Sequence, residues 1–249
     1  MTGFADHFSG HAGDYVKFRP RYPVEVFQWI AAKASRSDAV WDCGTGNGQA
    51  AVALADHFDR VFATDPSQQQ IDQVSPHPGV TYTKASAEKS GLGNQSVDAV
   101  VTAQAIHWFD HERFYQEVGR VSRPGAIIVA VGYARPYFEM DELNSAFEGF
   151  AAMVESDWPA ERAHLEARYE TIDFPFERIE VPEVEMGFDW PLEGLLGYLG
   201  TWSACRRHLA RTGVDAVGAS SDAFARAWGD PALAQRVSWP LLLLAGRVH

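Results

Sequence analysis

This sequence predicts an α/β chain wound around a mostly parallel sheet with helices on both faces, and three observations predict it. Short β-branched runs alternate with helix-like stretches from residue 39 to about residue 131. Two of the runs, VDAVVTA at 97–103 and AIIVAV at 126–131, are apolar almost without interruption, as strands covered on both faces are. A glycine-rich turn, Gly44-Thr45-Gly46-Asn47-Gly48, comes directly off the first run and opens a helix. Strands alternating with helices give a parallel sheet buried on both sides. Right-handed crossovers then make it doubly wound and Rossmann-like.

Taken in order, strands are expected at 39–43, 61–64, 80–84, 97–103 and 126–131. Residues 49–59 place apolar side chains at helical spacing among good helix formers. Residues 66–74 read as a second helix, with Pro66 tolerated in its first turn. Residues 110–121 read as a third, with Asp110 as its N-cap. Beyond these, 138–169 predicts one or two helices broken near Trp158-Pro159, and 176–190 alternates as a strand or hairpin. Residues 192–210 and 220–228 are helical in pattern. Residues 236–246 read as a terminal strand in which Pro240 marks an edge or a bulge. No repeat, low-complexity tract or flexible linker interrupts the chain, so one domain with elaborations is expected.

With 249 residues, 46% hydrophobic and 22% charged, the chain can bury a sizeable core. Lysine and arginine total 21 against 33 acidic residues, a formal charge of -12, which argues against nucleic acid as the main partner. The one dense basic cluster, Arg206-Arg207-His208 with Arg211, has helical spacing and reads as a solvated helix face. Cys43 and Cys205 lie in no metal-ligand spacing and are expected to be reduced. No group of His, Cys or acidic residues has metal-site spacing, so no metal is expected. The N-terminal residues carry no apolar leader, and the longest apolar stretch, 241–245, is too short to span a bilayer. A cytoplasmic protein is the expectation.

The chemistry is expected where the strands end. Glycines at 44, 46 and 48 let the backbone turn sharply and approach a ligand, and the helix behind them presents unpaired N–H groups. The turn admits three readings: a nicotinamide or flavin site, a structural turn, or a site for another nucleoside cofactor. A dinucleotide fingerprint runs GxGxxG, whereas the spacing here is GxGxG. Asp65 ends the second strand, where a carboxylate can accept ribose hydroxyls or cap the helix that follows. His107 and Trp108 follow the fourth strand, whose end faces the ligand crevice in such sheets.

Asp42-Cys43-Gly44-Thr45-Gly46-Asn47-Gly48 resembles the first motif of class I S-adenosylmethionine-dependent methyltransferases. AQAIHWFD at 103–110 is similar to the type 11 branch of that family, which is related to the trans-aconitate and ubiquinone-biosynthesis methyltransferases. Phe8, Tyr15, Arg19-Pro20 and Tyr22-Pro23 follow an F…Y…RPxYP pattern seen in the same branch. The segments Leu195-Leu196-Gly197-Tyr198-Leu199 and Thr201-Trp202-Ser203 are similar to one that covers the substrate pocket there. Gln104-Ala105-Ile106-His107 stands where DNA base-amino methylases carry Asn/Asp-Pro-Pro-aromatic, which argues against that chemistry.

The resemblance implies a seven-stranded sheet with a helical cap insertion. It divides a single domain into a lid at 1–36, a cofactor-binding core at 37–135, a cap at 136–170 and C-terminal strands and helices at 171–249. It implies S-adenosylmethionine as cofactor, held by Tyr15, Arg19, Asp42, Gly44, Thr45, Gly46, Gly48, Asp65, Pro66, Ser67, Ala87, Glu88, Ala103, Gln104 and Ala105. Arg19 is expected to pair with the methionyl carboxylate; in the other reading, Pro20 and Pro23 only start a helix. Glu88 flanks the adenine or is a surface acid. His107, Trp108, Tyr198 and Trp202 are the expected substrate pocket. His107 is the candidate catalytic residue, with three roles open: general base, substrate contact, or packed structural histidine. The expected activity is O- or carboxyl-methylation of a small molecule by a monomer or homodimer, with neither nucleic acid nor membrane as partner. A cofactor-binding protein without turnover and an NAD-dependent oxidoreductase are the alternatives.

Overall fold

The computed structural model describes residues 18–249. After helix α1 (Val24–Lys33), the chain enters β1 (Val40–Cys43), every residue of which is buried. Helix α2 (Gln49–Leu54) returns it to β2 (Val61–Asp65), and α3 (Gln68–Ile71) to the partly exposed edge strand β3 (Val80–Lys84). The chain then crosses to the other side of β1 and forms β4 (Val97–Ala103), α4 (His111–Val121) and β5 (Ser122–Tyr133). β2, β1, β4 and β5 pair in parallel, and β3 adds to β2 in the same sense. The reversal of direction between β1 and β4 opens a crevice at the carboxyl ends of the strands, as doubly wound sheets do.

Two later strands complete the sheet. β10 (Leu241–Arg247) runs antiparallel to β5, and the two-residue β7 (Glu177–Arg178) pairs antiparallel with it. The order is β3-β2-β1-β4-β5-β10-β7, seven strands. Apolar runs at 97–103 and 126–131 lie inside β4 and β5, covered on both faces. Asp110 caps α4 by accepting from the Arg113 backbone N–H.

Several elements differ from the sequence reading. The helix expected at 49–59 stops at Leu54, because Phe58 turns inward and Asp59 N–H donates to Ser37 O, re-aiming the chain for β2. The helix expected at 66–74 spans only Gln68–Ile71, with Ser67, not Asp65, as its N-cap. Residues 176–190 form no hairpin: β7 edges the large sheet, while β8 (Met186–Trp190) belongs to a second sheet. Pro182 lies between them and offers no N–H to a ladder. The helical stretch from 192 splits into α7 (Leu192–Gly200) and α8 (Ser203–Thr212), broken where Thr201 Oγ1 donates back to Tyr198 O. The terminal strand is also two, because β9 (Gln235–Trp239) ends at Pro240 and β10 begins in the other sheet.

The second sheet, three antiparallel strands in the order β6-β9-β8 with β6 at Tyr137–Phe138, was not foreseen. Around it, α5 (Asp141–Val154), α7, α8 and α9 (Ala216–Trp228) enclose an aromatic core in which Phe147, Phe150, Trp202, Phe224 and Trp239 are buried. Edge-to-face and tilted ring pairs, such as Phe150–Trp202 at 5.5 Å, knit this cap together. The basic cluster on α8 is no purely solvated face. His208 is buried, its Nδ1 is 2.8 Å from Asp157 Oδ2, and Arg211 grips both oxygens of the same carboxylate at 2.7 Å. Arg211 and His208 hold the Asp157 carboxyl down at about 2, against the opposing pull of desolvation. A close approach joins the turn after the short helix α6 (Ala163–Glu166) to β5: a Cβ at Gly132 would clash with Tyr169 Oη.

Candidate cofactor and acceptor cavities

The crevice at the strand ends holds the larger of two adjoining cavities, about 130 Å³. Its walls are Gly44, Thr45 and Gly46 after β1, Asp65, Pro66 and Ser67 at the end of β2, and Ala103, Gln104 and Ala105 at the end of β4. Arg19, Tyr22, Trp108, Phe109 and Tyr133 close it.

The glycine turn is built to expose backbone. The N–H groups of Gly44 and Thr45 both donate to Thr64 O, at 2.8 and 2.9 Å, hooking the turn onto β2. Gly44 has φ +73 and Gly46 φ +54, left-handed values that side chains rarely adopt. A Cβ at Gly44 would meet the Ala105 Cβ at 2.7 Å, whereas one at Gly46 would meet nothing within 4 Å. Bare backbone therefore faces the cavity. Asp65 braces the arrangement: its Oδ2 accepts from Gly46 N–H at 3.0 Å and its Oδ1 from Ser67 N–H at 2.9 Å.

Asp42 lies fully buried beneath the turn. Thr45 Oγ1 donates to its Oδ2 at 2.5 Å, while Oδ1 has no hydrogen-bond partner among the described residues. Burial pushes its carboxyl up to about 7, with the Thr45 bond pulling back and the Asp65 charge adding to the rise. Gln104 takes φ +53, a strained value for a residue with a side chain. The strain is held by Gln104 N–H donating to Val131 O at 2.8 Å and Nε2 donating to Tyr133 O at 3.1 Å.

The smaller cavity, about 70 Å³, shares Arg19, Gln104, Trp108 and Tyr133 with the larger one. His107, Trp158, Pro159, Arg162, Leu165, Tyr198 and Trp202 complete most of its wall. Among the described residues it is an aromatic chamber with two guanidinium groups and no carboxylate in its lining. Arg19 Nη1 donates to Tyr133 Oη at 3.0 Å and Nη2 to Thr201 O at 3.4 Å, bridging the core sheet and the cap. His107 is 8% exposed, and burial first, then the charges of Arg162, His164 and His111, push its imidazole down to about 3. It is therefore neutral across the physiological range.

The expected site residues thus converge in part. Arg19, Gly44, Thr45, Gly46, Asp65, Pro66, Ser67, Ala103, Gln104 and Ala105 line the larger cavity, and His107, Trp108, Tyr198 and Trp202 the smaller. Four others sit off the walls. Asp42 lies underneath; Gly48 faces Tyr82, whose Oη would be 2.7 Å from a Cβ there. Ala87 is buried in the core, and Glu88 Oε1 accepts from Asp110 N–H at 3.2 Å, tying the connection after β3 to the start of α4. Tyr15 and Phe8 lie outside the described residues. Tyr133, Trp158, Phe109 and Arg162 were missed. Tyr133 falls two residues past the expected end of its strand. Arg162 lies in the stretch of cap whose sequence resembles nothing recognisable.

The exposed backbone at Gly46 and the carboxylate beside it fit a nucleoside cofactor with several polar ends. Comparison with known proteins narrows the class. A family model described as a methyltransferase domain, type 11, matches residues 41–130. A Dictyostelium discoideum protein named as a candidate methyltransferase is 30% identical over 208 residues, spanning 81% of this chain and 78% of its own length. An uncharacterised Mycobacterium tuberculosis methyltransferase is 38% identical over 119 residues, about half of either chain, at 47% and 48%. The solved structure of a candidate type II methyltransferase from Anaeromyxobacter dehalogenans is 44% identical, with a TM-score of 0.87 over 93% of this chain and 98% of that one. A doubly wound sheet with a glycine turn over its crevice defines a nucleoside-cofactor protein. The chain belongs to the class I S-adenosylmethionine-dependent methyltransferases.

Among the described residues no helix is long and apolar enough to cross a membrane.

Proposed function

We propose that the protein methylates an oxygen of a small acceptor that enters the smaller cavity while the cofactor occupies the larger. One observation carries this reading: the two cavities abut through Arg19, Gln104, Trp108 and Tyr133, and among the described residues the acceptor side offers two guanidinium groups and no carboxylate. A protonated amine entering there meets like charge in a poorly solvated chamber, whereas a hydroxyl or carboxylate does not. When bound, S-adenosylmethionine supplies an electrophilic methyl on a sulfonium. The glycine turn and Asp65 hold the adenosyl portion, with Thr45, Ser67, Gln104 and Ala105 around it. Arg19, at the junction of the cavities, pairs with the carboxylate of the methionyl end. Trp108, Tyr198 and Trp202 orient the acceptor and exclude water.

His107 contacts the acceptor instead of deprotonating it. An imidazole pushed down to about 3 is too weak a base to draw a proton from a hydroxyl, but it donates or accepts a hydrogen bond well. A carboxylate acceptor needs no base at all.

The test is product chemistry. The protein is incubated with methyl-labelled S-adenosylmethionine and matched carboxylic acids, phenols and amines. Label is expected on oxygen, and methyl esters among the products release it as methanol in base. Label found only on nitrogen would overturn the proposal. Tight binding of S-adenosylhomocysteine with no acceptor labelled would replace it with a cofactor-binding protein that does not turn over.

A further inference from the structure

Arg162 stands out in the acceptor cavity. Its guanidinium carbon lies 3.7 Å from the centroid of Trp158 and 5.7 Å from that of Trp202. Nε donates to Glu166 Oε1 at 3.2 Å. Glu166 is in turn held by Arg135 Nη2 at 2.7 Å, and Arg135 reaches Glu155 at the same distance. The guanidinium is thus stacked on one side and anchored from behind. Its two terminal nitrogens make no hydrogen bond to any described residue, although the side chain is only 15% exposed.

A guanidinium cannot shed its charge in a protein, and here four of its five N–H donors are left to the cavity. A planar pair of parallel donors is the complement of a carboxylate. The neighbouring walls, Trp108, Trp158, Tyr198 and Trp202, suit a flat apolar body. We infer that Arg162 is a specificity-determining residue that binds a carboxylate of the acceptor through its two terminal nitrogens, and that the acceptor is a small aromatic or conjugated acid. This inference rests on the reading of the smaller cavity as the acceptor site. Trp158 holds the fork in place before the acid arrives, and Glu166 fixes its direction through Nε, leaving the outward pair for the ligand.

The experiment measures binding without cofactor or turnover. Benzoate and its neutral isostere benzamide are titrated against the full chain, following quenching of tryptophan fluorescence, since Trp108, Trp158 and Trp202 line the cavity. Wild-type protein is expected to prefer benzoate by about tenfold or more. Arg162→Gln is expected to abolish that preference, and Arg162→Lys to restore only part of it, because lysine keeps the charge and loses the fork. S-adenosylhomocysteine affinity, measured on the same samples, reports folding and the larger cavity, and is expected to stay unchanged in both variants. Equal binding of benzoate and benzamide to wild type, no benzoate binding at all, or a preference that survives in Arg162→Gln would each overturn the inference. If homocysteine-adduct binding is absent from wild type, the cofactor reading fails instead. If amines are the only substrates methylated while the Arg162 preference holds, only the oxygen assignment fails.

Discussion

His107 and Asp65 illustrate how far residue identity carries and where environment takes over. Both were visible from their positions at strand ends, because a doubly wound sheet directs those ends at its ligand. The sequence could not choose among three roles for His107, since its basicity depends on burial and on Arg162, which comes from a distant part of the chain. With the imidazole neutral down to about 3, turnover should show no inflection from this group between about pH 5 and 8. His107→Gln should then lower turnover roughly tenfold, the loss of one hydrogen bond of about 1–1.5 kcal/mol, without changing the shape of the profile. The check is a pH–rate series on both proteins; an inflection near 6.5 that vanishes in the variant would restore the general-base role. The same depressed basicity bears on stability. Between about 6.5 and 3 the unfolded chain binds a proton that the folded chain refuses, so this group's contribution falls as pH drops through that window.

At the scale of elements, the parallel strands were legible because continuous apolar runs bounded by turn residues leave few alternatives. The short helices α2 and α3 were overestimated, because tertiary contacts such as Asp59 N–H to Ser37 O end them before the local pattern does. The strands expected at 176–190 and 236–246 were misread for a related reason. Prolines 182 and 240 divide stretches that look continuous, and the pieces go to different sheets. β5 itself depends on a contact no local pattern announces, the packing of Tyr169 onto Gly132. Gly132→Ala should destabilise the protein by about 1–3 kcal/mol through that clash. Tyr169→Phe should recover part of the loss in the same chain, since it removes the nearest atom, and should cost little by itself because Tyr169 Oη has no hydrogen-bond partner among the described residues. Denaturant unfolding of the two single variants and the double variant checks this; a silent Gly132→Ala would show that the strand and the turn do not press on each other.

For the whole molecule, a core sheet with a glycine turn supplies one cavity, and a cap built from two separate stretches of chain supplies the other. The first was readable because its chemistry is local: Asp42, the glycines and Asp65 recur at fixed intervals along alternating strands. The second was readable only in part: the resemblance placed His107, Trp108, Tyr198 and Trp202 there, whereas Trp158 and Arg162 join them only through the packing of the cap, which nothing in their spacing announces. The central claim is that the larger cavity, braced by Asp65, holds the methyl-donor cofactor. Calorimetric titration with S-adenosylhomocysteine tests it most directly, comparing wild type with Asp65→Ala. Binding of one molecule per chain, weakened by about 1–3 kcal/mol in the variant, is the predicted result. No binding to wild type, or an affinity unchanged by the substitution, would contradict it.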